Sequence, residues 1–181
     1  ADKYMVFASH SQNPKKDPLQ YAKKIAYMKQ SFPKHKKNII VSKSRTFFEI
    51  LVELNGKFQN IVMVVGSDRV TEFKTLANKY NGVASRHGYY KFDNIQIVSA
   101  GERDPDAEGA TGMSASKMRD LAKKNDYLEF KMGAANHGEQ KIKQLFLDVR
   151  KGMGLKEEME ITEDIQITDE ELEFFYSTMT E

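Results

Sequence analysis

The chain of 181 residues contains no cysteine, no tryptophan and only four prolines. Without cysteine, disulfide bonds and thiolate metal sites are excluded. No apolar run approaches the length of a membrane span, and the first residues carry no signal-peptide pattern. Since 40% of the residues are hydrophobic, the chain can form one sizeable core. We therefore expect a soluble protein, intracellular or packed inside a particle.

The formal net charge of +2 is divided unevenly along the chain. Residues 155–181 contain ten acidic side chains and one basic, whereas residues 1–154 contain 16 acidic and 27 basic. A basic body favours anionic ligands, and nucleotides, nucleic acid or the acidic tail itself would satisfy it. Basic clusters interleaved with aromatic residues are missing, so nucleic acid is the least favoured partner. We predict a domain over 1–154 and an acidic C-terminal extension over 155–181.

Short apolar runs typical of strands alternate with segments of helical periodicity. The predicted strands and helices, in chain order, are 4–8 (strand), 18–32 (helix), 38–41 (strand), 46–54 (helix, capped by Thr46), 60–65 (strand), 70–80 (helix) and 95–99 (strand). This alternation predicts an α/β fold with a doubly wound, mostly parallel sheet covered on both faces. Ligands of such sheets bind at the carboxyl ends of the strands.

Three loops follow predicted strands and are therefore candidate ligand-binding segments: 9–17, 66–69 and 100–112. The last of these is too long and too charged for a minimal connection. Long polar loops at this edge of a sheet often carry function, although a solvated surface loop is equally consistent with the pattern.

Residues 112–119, Gly-Met-Ser-Ala-Ser-Lys-Met-Arg, join the last loop to a predicted helix. A helix N-terminus has unpaired N–H groups and the positive end of the helix dipole, so Ser114 and Ser116 can complete an anion site there. Arg119, one turn further on, can bind phosphate oxygens in a bidentate manner. The alternative is an ordinary serine N-cap beside a surface arginine.

Residues 113–119 resemble the Ile-Ser-Gly-Thr-x-x-Arg signature of the nucleotidyltransferase superfamily that contains nicotinamide-mononucleotide and pantetheine-phosphate adenylyltransferases, with alanine and serine replacing the glycine and threonine. The resemblance covers most of residues 4–130. Residues 65–68, Val-Gly-Ser-Asp, resemble the family's Gly-x-Asp loop near the ribose. Residues 13–19, Asn-Pro-Lys-Lys-Asp-Pro-Leu, resemble the loop whose lysine approaches the reacting phosphate.

The resemblance implies a Rossmann-like nucleotidyltransferase fold that binds ATP or CTP with Mg²⁺ and transfers an adenylyl or cytidylyl group to a phosphorylated small molecule. The phosphate ligands implied are Ser114, Ser116 and Arg119. The nucleotide-loop residues implied are Gly66 and Asp68, and the catalytic lysines implied are Lys15 and Lys16.

Three further segments are similar to uncharacterised members carried by large tailed bacteriophages: Ser-His-Ser-Gln, Val-Val-Gly-Ser-Asp-Arg-Val and Ala-Gly-Glu-Arg-Asp-Pro-Asp-Ala-Glu-Gly. No activity is attached to that similarity. The similarity implies a location in the host-cell cytoplasm or in the phage particle.

The family's His-x-Gly-His element is missing, since the four histidines, His10, His35, His87 and His137, are far apart. In the family this element precedes the first strand predicted here, and its own strand lies in the middle of the sheet. A sheet without that strand would leave buried N–H and C=O groups unpaired, at about 1–3 kcal/mol each. We expect the strand to come from a longer precursor as a bound peptide, to be left out of this sequence, or to be replaced by the acidic tail.

The ends of the chain suggest a second hypothesis. The first residue is Ala1 and the last is Glu181, and head-maturation proteases of tailed phages cut after glutamate. A processed, catalytically inactive virion protein would have these ends, and so would a fragment. Its partner would be the missing N-terminal segment or a neighbouring virion protein.

The acidic extension contains two recognisable patterns. Residues 161–167 alternate apolar and polar like an exposed strand, and residues 168–172 resemble a capping box that opens a short helix with aromatic residues at 174–176. The extension could cover the basic body or dock on a neighbour. His10 is a candidate substitute for the missing histidines, although a locally bonded loop histidine is the alternative.

Overall fold

A computed structural model describes residues 3–101, 113–134 and 138–155. This part of the chain is mixed α/β. Its strands are β1 (Val6–Phe7), β2 (Ile39–Ile40), β3 (Asn60–Val65) and β4 (Asn94–Ser99). Its α-helices are α1 (Tyr21–Ser31), α2 (Phe47–Leu54), α3 (Val70–Lys79), α4 (Ala115–Lys124), α5 (Tyr127–Gly133) and α6 (Glu139–Gly152). Short 3-10 helices span Pro33–Asn38 and Ser67–Arg69.

The strands form two parallel pairs. β1 pairs with β2, with Val6 opposite Ile39. β3 pairs with β4 over six residues, from Asn60 opposite Asn94 to Val65 opposite Ser99. Within the described ranges, no strand joins the two pairs. The predicted strands and their parallel pairing are therefore confirmed, whereas a single doubly wound sheet is not shown.

The larger hydrophobic core lies between the β3–β4 pair and the helices α2 and α3. The buried side chains of α2, Phe48, Leu51 and Leu54, recur at three-residue intervals and so share one face. Alternation along β4 turns Ile95 and Ile97 towards the same core. The Tyr90 hydroxyl donates to the carbonyl oxygen of Ala77 at 2.7 Å, which satisfies a polar group at the centre of the core. Met5 and Phe7 pack against this core, so β1 lies beside it.

A second core joins α4, α5 and α6. The rings of Phe130 and Phe146 meet edge to face with their centroids 5.0 Å apart. Gly133 allows α5 to approach the start of α4, because a Cβ there would collide with Met113 and Met118. The first turn of α4 is thereby held against a packed scaffold.

Asp148 links α6 to α1. Its carboxylate accepts hydrogen bonds from Lys23 Nζ at 2.5 Å, the Tyr27 hydroxyl at 2.7 Å and Gln144 Nε2 at 3.2 Å. Burial favours the neutral acid, but the bonds from Lys23 and Tyr27 outweigh burial and hold the pKa of Asp148 below its ordinary value. Burial of Tyr27, its hydrogen bond to Asp148 and the charge of Asp148 together raise the pKa of Tyr27. The ionised form of Asp148 therefore stabilises this helix contact.

Folding lowers the pKa of the Asp148 carboxyl. Its contribution to stability is therefore fully present above about pH 4, the pKa of an aspartate in the unfolded chain, and is lost as the pH falls through the lower pKa of the folded state. We expect Asp148→Asn to lower the free energy of unfolding at pH 7 by about 1–3 kcal/mol and to flatten the loss of stability below pH 4. Urea unfolding at pH 3 to 7 measures both. Asp120→Asn, which breaks an exposed 3.3 Å ion pair with Lys123, is the control. Equal effects of the two variants would contradict the assignment.

Candidate functional site

Ser114 caps the first turn of α4. Its Oγ accepts a hydrogen bond from the Lys117 N–H at 3.0 Å, and its own backbone is extended. This turn contains no acidic side chain. No acceptor for the N–H groups of Ala115 and Ser116 lies among the described residues. Within the described part of the chain, these N–H groups remain available at the positive end of the α4 dipole, which favours anions.

Arg119 and Ser116 lie together on the same turn, since the Arg119 guanidinium donates to Ser116 Oγ at 3.2 Å. Ser116 is exposed and Arg119 is partly exposed. The three predicted phosphate ligands, Ser114, Ser116 and Arg119, thus lie at the N-terminal end of α4, where Arg119 contacts Ser116. Gly112, which precedes them in the sequence pattern, lies outside the described residues.

Gly66 and Asp68 lie directly past the carboxyl end of β3. A Cβ at Gly66 would fall 2.7 Å from Asp68 Oδ1, so the glycine lets the carboxylate fold back on the loop. Asp68 is largely exposed and lies 3.4 Å from Arg69 Nε. The Ala100 N–H donates to the Val65 carbonyl at 2.8 Å and keeps the ends of β3 and β4 side by side. Of the predicted loop 100–112, which follows β4, residues 102–112 lie outside the described residues.

Lys15 and Lys16 lie in a tight turn of the loop after β1. The Asn13 side-chain oxygen accepts from their backbone N–H groups at 2.9 and 3.2 Å. Both side chains are exposed. Within the described ranges, no hydrogen bond or ion pair joins these lysines to Asp68 or to the turn with Ser114. The structure orders each predicted group separately and shows no direct contact between them.

Lys24 organises the loop that contains the two lysines. Its Nζ donates to the carbonyl oxygens of Ser9 and Ser11 at 3.0 and 2.5 Å and to Asp17 Oδ2 at 2.6 Å. The Lys24 side chain is only 12% exposed. The sequence analysis missed this residue, because one lysine among many on an amphipathic helix has no distinguishing spacing.

His10 makes local contacts. Its Nε2 donates to the Ser42 carbonyl at 2.8 Å, and its ring stacks on Tyr21 with centroids 3.6 Å apart. The hydroxyl of Ser42 donates to Glu53 at 2.5 Å, as does that of Ser44 at 2.8 Å. The bond from Ser42 is the main reason why the pKa of Glu53 is lowered. His10 thus belongs to a polar network that ties together the loops after β1 and β2.

The part of the chain that the structure describes contains no group of three side chains that could hold a metal ion. It also has no helix of sufficient length and apolar character to cross a membrane. The chain matches no protein-family model, no curated protein and no solved structure.

Replacing Ser114 by alanine removes the acceptor of the Lys117 N–H. We expect the free energy of unfolding to fall by about 1 kcal/mol, the usual contribution of an N-cap side chain. Ser116→Ala, two residues on, leaves the cap intact and should change stability by less than about 0.5 kcal/mol. Denaturant midpoints at neutral pH distinguish the two. A larger loss for Ser116→Ala would contradict the cap geometry.

Proposed function

We propose that this chain is a nucleotidyltransferase-like protein that binds ATP or CTP, with the β- and γ-phosphates at the first turn of α4. The observation that carries the proposal is the start of α4, where Ser114 caps the helix, Arg119 donates to Ser116, and the N–H groups of Ala115 and Ser116 have no acceptor among the described residues. Backbone donors and the helix dipole stabilise bound phosphate, and a guanidinium can bind two of its oxygens. The basic balance of residues 1–154 favours the same anionic ligand.

The finer fold that fits this function is a Rossmann-like sheet in which the two parallel pairs are halves of one layer. Supporting it, Met5, which precedes β1, and Phe7 of β1 pack against the core beneath β3. In such a sheet the loops after β1 and β3 border one crevice at the carboxyl ends of the strands. Lys16 and Asp68 would then face the same ligand.

The reaction implied is attack by an oxygen of a phosphorylated acceptor on the α-phosphorus, with cleavage of the bond to pyrophosphate. Ser114, Ser116 and Arg119 would hold the departing pyrophosphate. Lys15 or Lys16 would neutralise the charge that develops at the α-phosphate. Positioning and electrostatic stabilisation by these groups would supply the catalysis.

The loop after β3 would orient the nucleotide. Gly66 would let the backbone approach the ligand, and the exposed Asp68 carboxylate would accept hydrogen bonds from ribose hydroxyls. Mg²⁺ would enter on the triphosphate and screen its charge. Nucleotide-bound magnesium uses only one or two protein carboxylates, so it does not require a cluster of three protein ligands.

A catalytically inactive virion structural or interaction protein is the second candidate. It is favoured by the exposed valines Val62, Val64 and Val98 on the outer face of the β3–β4 pair, since contiguous apolar surface marks interaction sites. The missing His-x-Gly-His element favours it as well. His10, the candidate substitute for that element, uses its Nε2 in a hydrogen bond to the Ser42 carbonyl. A nucleotidyltransferase-like protein would be located in the host-cell cytoplasm, and an inactive virion protein in the phage particle.

Isothermal titration with the magnesium salts of ATP and CTP tests the phosphate site. We expect a Kd in the micromolar range and at least tenfold weaker binding by Arg119→Ala, about 1.4 kcal/mol. Lys123→Ala is the matched control, because it removes one cation from the last turn of the same helix. Its affinity should equal that of the wild type.

Absence of binding at millimolar nucleotide would overturn the proposal. Equal losses of nucleotide affinity in Arg119→Ala and Lys123→Ala would also contradict it, because they would assign the effect to the net charge of the protein and not to a phosphate site at Arg119. Pyrophosphate release in the presence of phosphorylated acceptors separates the two candidates, because an inactive protein retains binding and releases none.

A further inference from the structure

Helix α6 contacts both parts of the proposed nucleotide site, and it does so through two different faces. Ile142, Phe146 and Val149 recur at three- and four-residue intervals and are buried in the core shared with α4 and α5. Asp148 and Gly152 lie one turn apart, where Asp148 bonds to α1 and Gly152 lies against the end of the loop after β1. α6 is therefore a direct connection between α4 and the segment that contains the two lysines.

Gly152 has no room for a side chain. A Cβ at this position would collide with the Pro18 carbonyl oxygen and would lie 2.8 Å from the Pro18 carbonyl carbon. Both atoms belong to the backbone, so they cannot turn aside as the end of a flexible side chain can, and Pro18 is itself buried. Alanine is otherwise the better helix former. The glycine is therefore required by the close approach of α6 to Pro18 and not by the helix itself.

Pro18 directly follows the turn of residues 13–17, the lysine turn. Asn13 and Asp17 close this turn with two backbone hydrogen bonds of 2.9 and 2.8 Å. Leu19, on the other side of Pro18, packs against the core of α4, α5 and α6. A displacement of Pro18 is therefore passed directly to the closed turn, and with it to both lysines.

The start of α4 is fixed to the same scaffold. Arg150 of α6 donates from Nη1 to the Ala122 carbonyl oxygen of α4 at 2.5 Å. At the other end of α4, Met113 and Met118 pack in the space that Gly133 of α5 leaves open. The first turn of α4 therefore has a fixed position relative to α6.

We propose that α6 sets the spacing between the lysine turn and the start of α4, with Gly152 as the positioning residue that allows this spacing. Its part in nucleotide binding rests on the proposed function, in which the lysines meet the α-phosphate and the start of α4 meets the β- and γ-phosphates. A triphosphate has a limited length, so it reaches both groups only if their spacing matches that length. A side chain at position 152 moves the lysines away from the ligand without contacting it.

Electron paramagnetic resonance between two spin labels measures this spacing in the absence of nucleotide. The chain contains no native cysteine, so Lys16→Cys and Lys123→Cys place one label on the lysine turn and one on α4, both at exposed positions. We expect Gly152→Ala to shift the distance between the labels by about 1–2 Å, which restores van der Waals contact between the new Cβ and Pro18, and to broaden its distribution. Gly138→Ala, at the other end of α6, is the matched control and should leave the distance unchanged, because a Cβ there meets no described atom within 4 Å.

Asp148→Asn tests the same face of α6 without adding a clash. It weakens the bonds from Lys23 and Tyr27 of α1, so we expect the distance distribution between the labels to broaden while Gly152 remains in place. A distribution as narrow as that of the wild type in both Gly152→Ala and Asp148→Asn would overturn the proposal.

Titration with magnesium ATP tests the consequence for binding. We expect Gly152→Ala to weaken binding about fivefold in the wild-type background and by less than about twofold in a Lys15→Ala/Lys16→Ala background, because the effects of residues that act through one another are not additive. Gly138→Ala should bind as the wild type does. An equal loss in both backgrounds would mean that Gly152 acts through general stability, and it would overturn the positioning role.

Failure of this inference is distinguishable from failure of the proposed function. If the wild type binds ATP and Gly152→Ala binds it equally well, only the positioning role is overturned. If the wild type binds no nucleotide, the proposed function fails and the binding role of Gly152 fails with it, while the label distances still decide whether α6 sets the spacing.

Discussion

The packing of α2 and α3 against the inner face of the β3–β4 pair is the constraint on which this half of the molecule depends. Six pairs in register bring Ile95 and Ile97 onto one face, where Leu51 and Ala77 are fully buried. A one-residue slip would turn that apolar face to water, so burial specifies the register. The same register places the ends of β3 and β4 together, where the loop with Asp68 begins.

The helices α4, α5 and α6 form a second core, and polar contacts link it to α1. Asp148 carries much of this link, because its carboxylate is buried and accepts bonds from Lys23 and Tyr27 on α1. A buried carboxylate is favourable only when such partners satisfy it. The contact therefore has strict geometry, and it holds the end of α6 beside the loop after β1.

The candidate phosphate site depends on this second core more than on the sheet. Met113 and Met118 pack against α5, so the capped start of α4 has a defined position even though the preceding loop lies outside the described residues. The lysine loop is held separately, by Lys24 and Asp17. Nucleotide binding would thus draw on two independently ordered parts of the chain.

The sequence by itself determined the types and order of the elements from 4 to 99, and the caps at Thr46 and Ser114, because hydrophobic period and capping chemistry act over a few residues. It also singled out Ser114, Ser116 and Arg119, since a helix N-cap is set locally and Ser116 and Arg119, three residues apart on a helix, are neighbours whatever the fold. Only the tertiary structure decided that the described strands form two pairs and that Lys24 and Asp148 each join separate segments of the chain. Those features arise between residues far apart in the chain, and no local pattern encodes which distant segments meet.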